Sequence, residues 1–242
     1  MIPPPPPTPH NTNHSHSHTP TYHSMLAVRR TAVTLSGSFW ALCLLHSIYI
    51  NVFHIFLNFS SHYFTAAFGR DPQTAGFLTS SASVLVIFLG PLVGYIMDRV
   101  GGQLYVCSAT ALLVVLAYYW LAFRRDVDPL YDMALLSVGE SFIPILVMAL
   151  VPFTVPKGTF GTAFGIVEVM GAVTSFAGNV LIGYLIDRAE GGYETAMFAL
   201  TVLAAVGAVC FVVLMLSECW CGHNGLNTRH AIDYEALAAM DE

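Results

Sequence analysis

Charge is what this chain has least of. Only 10% of its 242 residues are Asp, Glu, Lys or Arg, against about 25% in a soluble domain. None falls between Arg30 and Arg70, between Asp71 and Asp98, or between Arg99 and Arg124. Uncharged apolar runs of that length exclude an ordinary soluble fold. A hydrocarbon core about 30 Å thick takes about 20 helical residues, at about 1.5 Å each. Backbone groups in lipid must be satisfied internally, so helices or closed barrels are the choices. These runs are too long and too uniformly apolar for barrel strands. The nine basic residues form no cluster, which excludes a nucleic-acid surface. No nucleophile motif, phosphate loop or clustered metal ligands occur, so neither an enzyme nor a cofactor is expected. The five cysteines, Cys43, Cys107, Cys210, Cys219 and Cys221, avoid the predicted external loops. No structural disulfide is therefore expected.

What is present divides into three parts. Residues 1–30 hold five consecutive prolines and five histidines. That composition reads as a disordered tail, because it cannot bury enough apolar surface to offset its chain entropy. His14, His16 and His18 alternate with serine, which leaves a weak metal contact as the other reading. No apolar core follows a basic start, so no signal peptide is expected. Residues 31–217 form a six-helix membrane domain, and residues 218–242 a cytosolic tail. The predicted helices cover about 34–57, 74–97, 103–123, 131–153, 162–186 and 194–216. Breakers fill the gaps: Gly69-Arg70-Asp71-Pro72, Gly101-Gly102, Arg125 to Pro129, Pro156-Lys157-Gly158 and Gly191-Gly192. Six spans put both termini on one side.

Polar residues within the spans are the candidate site, because ionisable groups in lipid are costly unless they face protein or water. Glu140 sits near the middle of the fourth helix, after Gly139 and before Ser141 and Pro144. It could take up a proton, meet a substrate amine, or bond another helix. Ser47, Asn51, His54 and Asn58, spaced 4, 3 and 4, stack on one face of the first helix. His46 and Tyr49 lie beside them. That stripe should face a cavity or join helices, and His54 can change charge near neutral pH. Glu168 lies toward a helix end and reads as an interfacial group. Gly171, Ser175, Asn179 and Gly183 repeat every four residues, a spacing for close helix packing; Asn179 could also reach the cavity.

Smaller signals remain. Asn58-Phe59-Ser60 fits a glycosylation acceptor but abuts the membrane. Cys219 and Cys221 flank Trp220 just past the last predicted helix, a position suited to reversible palmitoylation. A metal site there with His223 would lack a fourth ligand. In the tail, Tyr234-Glu235-Ala236-Leu237 fits a tyrosine-based endolysosomal sorting signal, with Tyr234 and Leu237 as its anchors.

One phrase occurs twice, 89 positions apart: Gly94-Tyr95-Ile96-Met97-Asp98-Arg99 and Gly183-Tyr184-Leu185-Ile186-Asp187-Arg188. The copies close the second and fifth helices, which correspond if the six divide into two inverted triplets. The first copy, with Gly94, Asp98, Arg99 and Gly101, resembles the loop signature of the major facilitator superfamily. There the signature lies on the cytosolic side and belongs to the inner gate, which implies cytosolic termini. Basic residues count five against four for that orientation, with Arg29, Arg30, Arg99, Lys157 and Arg229 inside. The usual trailing basic residues are replaced by Gly102 and Gln103.

The resemblance extends to Pro152 through Pro156 followed by Gly161 through Gly165. Ser38-Phe39-Trp40, a loop from Phe64 to Gly69, and Gly225-Leu226-Asn227 are similar to the C-terminal half of the lysosomal dipeptide transporter group. It implies an all-α half of a major facilitator fold, built as two inverted three-helix repeats. The implied function is alternating-access export of dipeptides or amino-acid-like solutes from lysosomes. The implied surroundings are membrane lipid and a small solute, with no nucleic acid. A single half implies a truncated chain, or a partner: an N-terminal six-helix half, a second copy or a lysosomal accessory glycoprotein. The rival reading is a non-transporting membrane scaffold or accessory protein that keeps the half-fold.

Overall fold

The computed structural model describes residues 35–100, 102–124, 126–156, 158–190 and 192–221. The histidine-rich tail, Gly101, Tyr234 and Leu237 lie outside these residues. So do the side chains of Asp98, Cys219 and Cys221.

Among the described residues six long helices stand out: α1 (Gly37–Phe68), α2 (Pro72–Val100), α3 (Gln103–Phe123), α4 (Pro129–Leu150), α5 (Phe160–Arg188) and α6 (Glu194–Cys221). One 3-10 turn, Val151–Phe153, follows α4. Each helix is long and apolar enough to cross a membrane. Among the described residues the arrangement is all-helical, and its six spans fit the two inverted triplets expected from the repeated phrase and the family resemblance.

Helix ends follow local chemistry. Ser36 accepts a hydrogen bond from the Phe39 amide at 3.2 Å and starts α1. Gly69 ends it in the left-handed region at φ 62°, its amide donating to the Phe64 carbonyl. Gly102 turns the chain into α3 at φ 70°. Asp128 caps α4 by accepting from the Leu130 amide at 3.0 Å, with Pro129 at the first helical position.

Two boundaries differ from the expected ones. α1 runs on to Phe68, whereas the sequence reading ends it at 57. Ser60 and His62 look like a polar exit, yet no breaker precedes Gly69. Ser60 instead donates to the Leu57 carbonyl at 3.1 Å and meets Thr79 Oγ1 on α2 at 2.7 Å. Phe56 packs edge-on to Phe59, Phe64 and Tyr118, which pulls the extra turns onto the core. Phe64 to Phe68 are therefore helix, not loop, and Asn58 is well inside α1. α6 likewise continues to Cys221, so Cys219, Trp220 and Cys221 ride its last turn.

α1 is the hub. It packs on α2, α4, α5 and α6, while α3 joins α4 to α6. In its most apolar stretch 61% of residues are buried. The corresponding shares are 17% for α2 and 6% for α5. These two helices hold matching places in the two triplets, so the bundle leaves one equivalent helix of each triplet uncovered.

Candidate functional site

The site begins at Glu140. The midpoint of α4 lies between Gly139 and Glu140, so this carboxylate is about 1 Å from the helix centre along the axis. Gly139 makes the placement feasible. A Cβ there would run into Val114 Cγ2, so α3 and α4 touch almost backbone to side chain. A cavity of about 10 Å³ beside Glu140 is lined by Tyr49, Val52, Tyr118 and Leu136 among others. That is the scale of one water molecule.

Glu140 Oε1 lies 3.7 Å from His54 Nδ1. The two side chains differ in access: 9% exposed for Glu140 and 54% for His54. His54 Nδ1 is 2.8 Å from the Ile50 carbonyl. A carbonyl can only accept, so Nδ1 carries the hydrogen and Nε2 is left for another partner. At 3.7 Å the carboxylate and imidazole attract through charge only when the ring is protonated. Tyr118 and Tyr49 do not compete for Glu140. Their hydroxyls donate to the Val52 carbonyl at 2.9 Å and the Ala204 carbonyl at 3.0 Å.

The polar stripe on α1 divides by partner. Asn51 is buried, and its amide nitrogen donates to the Ser47 carbonyl at 2.6 Å, the Gly171 carbonyl at 3.1 Å and Thr174 Oγ1 at 2.6 Å. Asn58 donates to Asn179 Oδ1 at 2.8 Å, and Asn179 donates on to the Ser175 carbonyl at 2.9 Å. These contacts tie α1 to α5. Ser47 Oγ and His46 Nδ1 are buried with no hydrogen-bond partner. His54 turns the other way, toward α4. The structure thus brings Glu140 to His54, and Asn58 to Asn179, as two polar groups on the hub helix.

Two glycine readings change. A Cβ at Gly171 or Gly183 would meet nothing within 4 Å, so that four-residue stripe is not where α5 packs closely. The close approach is at Gly178, where a Cβ would strike Ile55 Cδ1. Gly94 also has open space beside it.

The repeated phrase behaves alike in both copies. Arg99 places its guanidinium 4.4 Å from the centre of the Tyr95 ring. Arg188 donates to the Tyr184 hydroxyl at 3.1 Å. Each arginine sits in the last turn of its helix and folds back on the tyrosine four residues earlier.

At the bundle end that holds the α1–α2 and α3–α4 turns, loop ion pairs set the charge. Arg70 donates to Asp128 Oδ2 at 3.2 Å, joining the α1–α2 turn to the start of α4. Arg124 donates twice to Asp126, at 2.9 and 2.8 Å. Those bonds hold the Asp126 carboxyl at about 2, well below its ordinary range. The Thr74 amide likewise holds Asp71 below its usual value. Asp132, which the sequence reading passed over, is fully buried one turn into α4 with neither carboxylate oxygen partnered. Beside Asp128 it looks like an ordinary first-turn acid, so only packing distinguishes it.

Comparison with known proteins agrees with this architecture. The family model of the Major Facilitator Superfamily matches residues 1–178 and again residues 49–218. The lysosomal dipeptide transporter MFSD1 of Danio rerio is 24% identical over 81% of this chain and 42% of its own length. The human protein of that name is 27% identical over 57% of this chain and 30% of its own. The probable nitrate/nitrite transporter NarK2 of Mycobacterium tuberculosis is 22% identical over 90% of this chain and 51% of its own. The chain thus spans about half or less of the length of these curated relatives. Among solved structures, a peptide transporter POT in complex with sulfate superposes with a TM-score of 0.69 at 19% identity, covering 88% of this chain and 47% of that one. With a family match over most of its length and six membrane-crossing helices, the chain belongs to the Major Facilitator Superfamily.

Proposed function

We propose that this chain supplies one half of an alternating-access pathway for small amine-bearing solutes, dipeptides among them, across the lysosomal membrane. The observation that carries the reading is the pair Glu140 and His54. A carboxylate at the centre of a span, beside a histidine that is half exposed, is costly against lipid. Facing a water-filled path, the same pair is inexpensive.

Charge favours an amine over an anion. Among the described residues every Arg lies outside the helices or in a terminal turn. The mid-span face therefore offers a carboxylate and a titratable imidazole but no permanent cation. A dipeptide ammonium pairs with Glu140. Nitrate, which the name of NarK2 suggests, would meet a like charge there. The similarity to the MFSD1 proteins supports dipeptides and the lysosome. The resemblance of the Asp98-Arg99 phrase to the family's cytosolic loop supports cytosolic termini.

The test is uptake into proteoliposomes holding the chain at a density at which a second copy can supply the other half. Labelled dipeptide should enter and nitrate should not. A charge-assisted bond contributes about 1.5–3 kcal/mol, so Glu140→Gln should lower dipeptide uptake about tenfold to a hundredfold. Robust uptake that Glu140→Gln leaves unchanged would remove Glu140 from the pathway. Nitrate uptake without dipeptide uptake would overturn the solute class.

A further inference from the structure

We propose that Asp132 is a proton-binding site at the bundle end that holds the α1–α2 and α3–α4 turns, with Arg70 as the counter-charge it meets when it ionises. The proposal stands on packing and does not depend on the solute assignment above.

Asp132 has no exposed surface, and neither Oδ1 nor Oδ2 has a hydrogen-bond partner. An ionised carboxylate so placed would carry the full cost of desolvation with nothing to offset it. Such groups are accommodated neutral instead. A metal ion fits poorly, since hard cations need several oxygen ligands. Among the described residues no group of three His, Cys, Asp or Glu is placed to supply them. A proton needs one oxygen.

The surroundings determine what happens on ionisation. α4 packs on α1, α2 and α3. At this end those elements and their loops bring Tyr63, Arg70, Asp71 and Arg124, and α4 itself brings Asp128, while the Tyr118 side chain reaches toward the cavity beside Glu140. Tyr63 and Tyr118 donate their hydroxyls to the Leu121 and Val52 carbonyls. Arg124 spends two donors on Asp126. Asp71 is exposed and holds the Thr74 amide at 3.0 Å. Arg125 lies outside the described residues. Arg70 remains, half-exposed, with a single bond to Asp128. Asp128 caps α4, and Asp132 follows four residues later in its first turn. A one-turn shift carries the guanidinium from the first carboxylate to the second. Asp132 then releases its proton to water at the bundle end, and Arg70 keeps its charge throughout.

The test is infrared spectroscopy of the full chain in lipid nanodiscs, with carbon-13 in aspartate only. At about pH 7 a carboxyl held at or below its ordinary range is ionised, as at Asp71 and Asp126. The expected result is a protonated-carboxyl band that shifts with the label. It should vanish in Asp132→Asn and persist in Glu140→Gln. On alkaline titration the band should be lost in the wild type and retained in Arg70→Gln. No labelled band at about pH 7, or a band that survives Asp132→Asn, overturns the proton site. Equal titration of wild type and Arg70→Gln overturns the counter-charge. If Asp132→Asn does not fold, the labelled wild-type band still decides the first point.

Discussion

At the residue scale, the polar groups of α1 have separate jobs despite their shared stripe. Asn51 is a fastener: its buried amide meets three acceptors, two of them on α5. Bonds between membrane helices are worth about 0.6 kcal/mol on average, up to about 1.7. Asn51→Ala should therefore lower unfolding stability in mixed micelles by about 1–2 kcal/mol, and Thr174→Val by less. The two effects should couple in a double-mutant cycle; additive effects would show that the contact does not hold α1 to α5. His54 has no such anchorage beyond its own helix and Glu140. The 4-3-4 spacing marks all four positions alike. Their different fates depend on which neighbour each meets, and a single helix does not contain that information.

At the element scale, the bundle is set by a few close approaches. Gly139 lets α4 lie against Val114 of α3, and Gly207 of α6 lies where a Cβ would come within 2.7 Å of the Tyr49 ring. Overpacking of such contacts costs about 1–3 kcal/mol. Gly139→Val should destabilise the bundle by that amount in micelle unfolding and displace Glu140 with it. Gly183→Ala, with open space around it, should leave stability the same or slightly higher. Equal loss in both variants would show that helix flexibility, not the α3–α4 contact, governs the result. Charge gaps made the first three spans legible in the sequence and apolar runs between breakers the others, while Gly102 marked the start of α3. The extension of α1 to Phe68 was not legible. Its polar residues point inward to α2 and back to the helix, and the aromatic cluster that holds them draws on α1 and α3 together. The glycine stripe on α5 misled for a related reason: regular spacing says which residues share a face, not whether another helix lies on it.

At the scale of the whole molecule, the uneven burial of the helices carries the functional reading. α1 is enclosed, yet its His54 and Asn58 remain exposed. α2 and α5, equivalent by the inverted repeat, are the least buried spans. On the proposed reading, the side of α1 that exposes His54 and Asn58 is completed by water and protein. Lipid then belongs against other faces, such as that of Leu112 on α3, which is apolar and 56% exposed. The pairing of Glu140 with His54 was beyond sequence reasoning, because the two residues lie on different helices and meet only through the α1–α4 crossing. Each was identifiable alone as a costly residue in a span.

The central claim is that this face lines an aqueous path. The most direct measurement is labelling of single cysteines by a membrane-impermeant thiol reagent, in sealed membranes opened to each side in turn, with the native cysteines replaced. The account predicts that His54→Cys, Asn58→Cys and Asn179→Cys react and are protected by excess dipeptide, while Leu112→Cys stays unreactive. Unreactive cysteines at positions 54, 58 and 179, or labelling equal to that at position 112, would contradict it.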